Sequence, residues 1–218
     1  MVGDNSSAIL DYYNLKLEKA VAGSDEPHVF KAYVSYELPF GRGQRLFGSS
    51  PRWLSAILSG WSVSGILNYF SGTPLGFSAT FPLSNGWNGA TNRPNIAPGP
   101  LRNANFKKSQ FNFANPMAPE NTYLNKALFS DPRPMTLGTA APRYAQARRV
   151  GTINEDLTLQ KIVRLGEKVQ WQLRAEAFNA FNRSTLGAPN TAVENSLFGQ
   201  ISSISGNRSV QLVTRLDF

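Results

Sequence analysis

Apolar and polar residues alternate over several long stretches of the chain, and a period of two predicts strands. In HVFKAYVSYELPF, residues 28 to 40, Phe30, Ala32, Val34, Tyr36, Leu38 and Phe40 share one face, with Lys31, Ser35 and Glu37 opposite. Pro39 falls at the end, where a strand tolerates it. The alternation returns in GWSVSGILNYFSGTP, where Trp61, Val63, Leu67 and Tyr69 oppose Ser62, Ser64 and Asn68. RVGTINEDLTLQKIVRL sets Ile153, Leu157 and Leu159 against Asn154, Asp156, Thr158 and Gln160. VQWQLRAEAFNAFN sets Val169, Trp171, Leu173, Ala175 and Ala177 against Gln170, Gln172, Arg174 and Glu176. Phe178 breaks that pattern, which predicts a bulge or a change of face. In SVQLVTRLDF, Val210, Leu212, Thr214, Leu216 and Phe218 fall together. The result is an all-β chain of about five long strands, near 28 to 40, 61 to 78, 150 to 164, 168 to 182 and 208 to 218. They form an antiparallel up-and-down meander in chain order.

The connections sort by length. SSPRWLSAILSG predicts one short helix with Ser50 as N-cap, Pro51 as its first residue and Gly60 as its stop. Gly166-Glu167-Lys168 is a tight turn at the same rim. The other rim carries a periodicity-free stretch from about Phe81 to Arg149 and another near 183 to 207. A structureless loop of that length is rare inside a compact domain and common at the outer rim of a membrane barrel. Strands of about ten residues also suit a tilted membrane crossing. The pattern therefore predicts a partial transmembrane β-barrel with long outer loops and one short periplasmic helix. Tyr36, Phe40, Trp61, Trp171 and Phe218 lie on apolar faces near the short-connection rim, as an aromatic girdle would. Gln170, Gln172, Arg174 and Glu176 then face the lumen, and Trp87, Phe111 and Phe113 of the long loop are candidate substrate contacts through ring stacking. The alternation alone also fits a soluble β-sandwich binding module, for instance one for carbohydrate. The strand lengths and the terminal aromatic favour lipid.

Composition narrows the picture. Charged residues make up only 17%, and polarity is carried by neutral side chains mixed finely with apolar ones, which is how alternating strands look. No run approaches the ~20 apolar residues of a membrane helix, a test that barrel strands escape. The net charge of +8 is scattered, with Arg148-Arg149 and Lys107-Lys108 the densest groups, so nucleic acid is not an expected partner. The absence of cysteine excludes disulfides, thiolate metal sites and thiol catalysis. His28, the sole histidine, reads as a rim residue, and the G-x-G of GRGQRLFG lacks the spacing of a phosphate cradle. Glu155 and Asp156 point to opposite faces of a strand and so do not make a carboxylate pair. No catalytic, cofactor-binding or metal-ligating residue is assigned, and an enzyme is not expected.

PHVFKAYVSYELPFGRGQR, GWSVSGILNYFSGTP, the NRPN of Asn92 to Asn95, WQLRAEAFNAFN and the terminal VQLVTRLDF carry a resemblance that runs from about Asp11 to Phe218. In this order and spacing they resemble the C-terminal barrel portion of TonB-dependent outer-membrane receptors, particularly the Oar-like group with a carboxypeptidase-regulatory-like N-terminal domain. The resemblance implies a barrel of about 22 strands occluded by a plug and energised by TonB, in the outer membrane of a Gram-negative bacterium. It implies that residues 1–218 are the C-terminal segment of that barrel domain, a fragment without the plug, the earlier strands or a signal peptide, not expected to transport alone. The partners it implies are outer-membrane lipid, the remainder of the barrel and plug, and the barrel assembly machinery acting through the C-terminal strand. TonB would be met only through the absent N-terminal part.

Overall fold

The computed structural model describes residues 9–41, 43–79, 92–166 and 169–218. Strand β1 is Val29–Glu37 and is followed by helix α1, Arg52–Leu58, and β2, Trp61–Phe70. Four short strands come next: β3 Pro74–Leu75, β4 Asn95–Ile96, β5 Phe129–Ser130 and β6 Tyr144–Arg148. The long β7, Thr152–Arg164, precedes β8, Gln170–Phe178, then β9 Thr185–Leu186, β10 Ile204–Ser205 and β11 Ser209–Asp217. These elements form two compact units.

The sheet unit comprises His28–Phe70, Thr152–Ser184 and Gly206–Phe218. Its five strands lie in the order β1-β2-β7-β8-β11, all antiparallel, which is the expected meander. The sheet is open, with β1 and β11 at its edges. The other sheets among the described residues are two-stranded, so these residues do not form a two-sheet sandwich. Tyr36, Val63, Leu159, Ala175 and Leu212 stand side by side across the five strands, so the period of two holds from edge to edge. Nine residues at about 3.4 Å each reach about 30 Å, or about 21 Å when tilted by about 45°, close to the ~25 Å apolar band of a membrane barrel.

Several boundaries differ from the sequence reading. β8 pairs with β11 in unbroken register through Phe178, so there is no bulge, and Phe178 takes a polar-face position. The strand stops because Asn179 adopts φ 50, a left-handed conformation that Asn tolerates better than most residues. β1 ends at Glu37, which leaves Phe40 in the connection, and β2 ends at Phe70 rather than near residue 78. Pro51, with ψ 155, stands outside the helix as its N-cap, so Ser50 is one residue too far out to cap it. Gly60 does end this excursion: its φ is 76, and a Cβ there would lie 2.3 Å from the Ile162 carbonyl oxygen.

The loop unit comprises the described parts of Met1–Pro27, Ser71–Gly151 and Thr185–Ser205. The expected structureless loop is instead a packed body. β3 pairs with β6, β4 with β5, and β9 with β10. Leu75, Phe77, Leu101, Tyr123, Leu124, Phe129, Phe198 and Ile201 belong to one buried core, where the Phe77 and Phe129 rings lie 4.6 Å apart and those of Phe129 and Phe198 4.8 Å apart. Asparagine shapes the backbone around it. The side chains of Asn103, Asn112, Asn115, Asn125, Asn190 and Asn195 each accept a hydrogen bond from the N–H two residues on, closing successive turns. Asn121, with no exposed surface, donates to the carbonyls of Asn112, Asn115 and Pro116 and accepts from Asn112 N–H.

Candidate functional site

The surface with the clearest chemistry is the sheet itself, whose two faces differ. Strand alternation and register place Val34, Val63, Leu157, Leu159, Leu212 and Leu216 on one face. That face is uncovered: Val34 is 64% exposed, Leu212 82% and Leu159 40%. Among the described residues every buried hydrophobic side chain belongs to the loop unit. A sheet that buries no large apolar residue, yet presents a largely apolar face, has the wrong surface for water.

The opposite face is mainly polar. Gln170, Gln172, Arg174 and Glu176 of β8 all lie on it, in register with Asp217, Arg215, Val213 and Gln211 of β11. Arg174 Nε approaches Glu176 Oε1 at 2.7 Å, a charge contact without the alignment of a hydrogen bond. Gln211 donates to the other oxygen of Glu176. Asp156 accepts from Asn154 Nδ2 at 2.9 Å and from Asn179 N–H at 2.8 Å. Tyr33, Ile66, Val213 and Phe178 are apolar interruptions, and Phe70 lies beneath the Lys31 ammonium at 5.2 Å. A cleft of about 460 Å³ at the short-connection ends of β1, β2 and β7 is lined by Glu37, Gln44, Ser59, Trp61 and Arg164, among others.

Tyr36, Trp61 and Trp171 lie on the apolar side toward the short-connection ends of their strands, and Phe218, 95% exposed, follows the end of β11. Trp171 Nε1 donates to Thr214 Oγ1 at 2.8 Å, and Trp61 Nε1 to the Ile57 carbonyl at 2.9 Å. Phe40 sits in the β1–α1 connection, 6.3 Å edge-on from Phe47. Of the loop aromatics, Phe111 is 4% exposed and packs in the core, which removes it as a surface contact. Phe113 is exposed and lies 5.2 Å from the Phe111 ring, and Trp87 lies outside the described residues.

Two charges interrupt the apolar face, and neither was singled out as such in the sequence. Glu155, at the long-connection end, pairs with Arg183 Nε through both oxygens at 2.8 and 2.7 Å. Those hydrogen bonds, and then the carboxylate charge, push the Arg183 guanidinium further above its ordinary value. Lys161, near the other end, is buried and donates to the carbonyls of Ala56, Ile57 and Ser59 at 3.0, 2.7 and 2.9 Å. Its signal was the lysine itself, at a position where alternation calls for an apolar residue.

Two arginines in the loop unit were also missed. Arg93, inside the NRPN stretch, is buried, and its Nη2 meets Glu18 Oε1 at 2.7 Å. Arg148 donates to the Asp25 carbonyl at 2.7 Å and pairs with its carboxylate at 2.5 Å. They tie the segment that precedes β1 into the loop unit. Asn92 supports the first clamp by accepting from Arg93 N–H at 2.9 Å and Gly138 N–H at 3.2 Å. At Gly138 a Cβ would lie 1.7 Å from the Arg93 carbonyl oxygen, so only glycine permits this approach.

A family model described as "Outer membrane beta barrel domain" matches residues 2–211. No curated protein and no solved structure matches the chain.

Proposed function

We propose, for a chain that belongs to the outer membrane beta barrel domain family, that its sheet is an arc of the wall of a TonB-dependent receptor barrel in a Gram-negative outer membrane. The apolar face lies against outer-membrane lipid. The polar face, with Gln170, Gln172, Arg174 and Glu176, lines the lumen through which a substrate is taken up, and the loop unit gathers the long connections. The reading rests on one observation, the largely apolar face of a sheet that buries no large hydrophobic residue among those described.

Strands that pair with the open edges β1 and β11 complete this barrel, because unpaired backbone groups in hydrocarbon cost several kcal/mol each. The plug fills its lumen and carries the contact with TonB. The barrel assembly machinery engages β11, whose edge offers backbone donors and acceptors for strand addition. The role is that of a conduit wall and not of an enzyme.

The cysteine-free sequence permits a direct test. In outer membranes of cells producing the chain, Gln172→Cys should react with a water-soluble, membrane-impermeant maleimide, and Leu173→Cys should not. Equal labelling at the two positions overturns the wall. In a receptor that carries its plug together with this chain, labelling at Gln172→Cys that stays the same when the proton gradient of the inner membrane is collapsed removes the TonB-dependent part and leaves the wall.

A further inference from the structure

The Lys161 ammonium reveals which side of the sheet the helix occupies. Lys161 is in register with Trp61 on β2 and Leu173 on β8, so its side chain belongs to the apolar face. Its Nζ lies 5.0 Å from the centroid of the Trp61 ring on that face. Leu159, two residues away on the same face, is 40% exposed, whereas Lys161 is 8% exposed. The cover over Lys161 is the C-terminal end of α1, whose Ala56, Ile57 and Ser59 carbonyls receive the three ammonium protons. The Ile57 carbonyl also accepts from Trp61 Nε1. A lysine fits there because the last carbonyls of a helix have no partner within it and carry partial negative charge. The helix end is thus fixed to the apolar side of the sheet.

The outer surface of this excursion is apolar where a water-exposed turn would be polar. Trp53 and Ile57, four residues apart and so on one stripe of the helix, are 68% and 57% exposed. Leu46 and Phe47 add to the exposed apolar set, and Arg45 and Arg52 are exposed cations beside it. Aromatic and aliphatic side chains next to arginines form the composition that settles at a headgroup boundary.

We infer that the β1–α1–β2 excursion is a membrane-interface anchor, in which Trp53 and Ile57 enter the phospholipid leaflet at the short-connection end of the barrel wall while Lys161 holds the helix in place. The occupant is lipid because the surface adjoins the apolar face at Trp61, whose Nε1 donates to the Ile57 carbonyl of the helix. This rests on the barrel-wall reading above.

The test places a bimane label at Trp53→Cys, Ile57→Cys or Leu159→Cys in a complete barrel that contains the full chain, one position at a time. Each protein is reconstituted in vesicles of phosphatidylcholine and phosphatidylglycerol. Labels at 53 and 57 should lose more than half of their emission to a nitroxide lipid spin-labelled near the headgroup and little to aqueous iodide. The label at 159 should be quenched best by a nitroxide midway along the acyl chain. Iodide quenching at 53 and 57 with lipid quenching at 159 overturns the anchor and leaves the wall intact. Shielding of 53 and 57 from both quenchers assigns the surface to a protein partner, such as a second copy, and overturns the inference. Iodide quenching at 159 overturns the wall reading itself, and the anchor with it.

Discussion

Single side chains decide where this chain turns and what each turn tolerates. Asn179 has φ 50, donates from Nδ2 to the Arg183 and Gly206 carbonyls, and accepts from Arg183 N–H at 2.8 Å. Asn182, with φ 52, accepts from Arg208 N–H at 3.1 Å. These asparagines of FNAFN make the turn after β8, a purpose that alternation does not display because it lies in backbone conformation. Tyr123 is the residue whose environment gives a pH-dependent expectation. Its hydroxyl donates to the Arg148 carbonyl at 2.6 Å, and burial pushes its phenol above the ordinary 10.0, opposed in part by the charge of Arg102. With a raised folded value, the unfolded chain releases this proton first as pH climbs. The contribution is therefore complete below about pH 10 and lost as pH rises through the folded value. Tyr123→Phe should lower stability near neutral pH by about 0.5–1.5 kcal/mol through the missing hydrogen bond. It should also flatten the alkaline fall in urea midpoint. An alkaline profile parallel to wild type would show that Tyr123 does not titrate with unfolding.

Elements differ in how openly the sequence announces them. The five long strands were legible because each residue's face depends only on its parity, and their order followed from the sorting of short and long connections. The loop unit was not, because each apolar residue of its core comes from a different turn and no period links them. Its ion pairs are equally hidden: Arg93 and Glu18 are 75 residues apart, and the contacts of Arg148 with Asp25 span 123. The high asparagine content was visible, but which backbone groups it would satisfy was not. Helix α1 lies between these cases. Its existence was readable from Pro51 and Gly60, but seven residues are too few for an isolated helix, so tertiary contacts must hold it. Lys161 supplies three of them. Lys161→Met removes the ammonium and leaves the Ala56 and Ser59 carbonyls without this donor, which should cost about 1–3 kcal/mol locally. Hydrogen exchange would show it as an increase of about tenfold or more at the amides of Ser55 and Ser59, with Val63 and Leu159 in the ladder unaffected. Unchanged exchange at Ser55 and Ser59 would mean that the connection holds its shape without the lysine.

At the scale of the whole molecule, the question is what solvent the apolar face requires. The loop unit has a core as any water-soluble body does, whereas the sheet unit buries no large hydrophobic residue among those described. Exposed apolar surface of this extent forfeits about 25 cal/mol per Å² in water, a loss that hydrocarbon removes. Lipid also differs from a protein core in a measurable way, because the cost of a charge in a bilayer depends on depth. Leu159 lies in the middle of the apolar face, Leu216 toward its short-connection end in register with Trp171, and Thr158 faces the other side in register with Glu176. Leu159→Arg should therefore cost about 2–4 kcal/mol, Leu216→Arg about 0–1, and Thr158→Arg little, since water and a carboxylate await it. Urea titration of complete barrels that contain this chain, refolded in phosphatidylcholine vesicles, measures all three. A face packed on protein would penalise both leucine positions without regard to depth. Equal losses at Leu159 and Leu216, or a wild-type midpoint insensitive to the length of the lipid acyl chains, would mean that the face meets something other than a membrane.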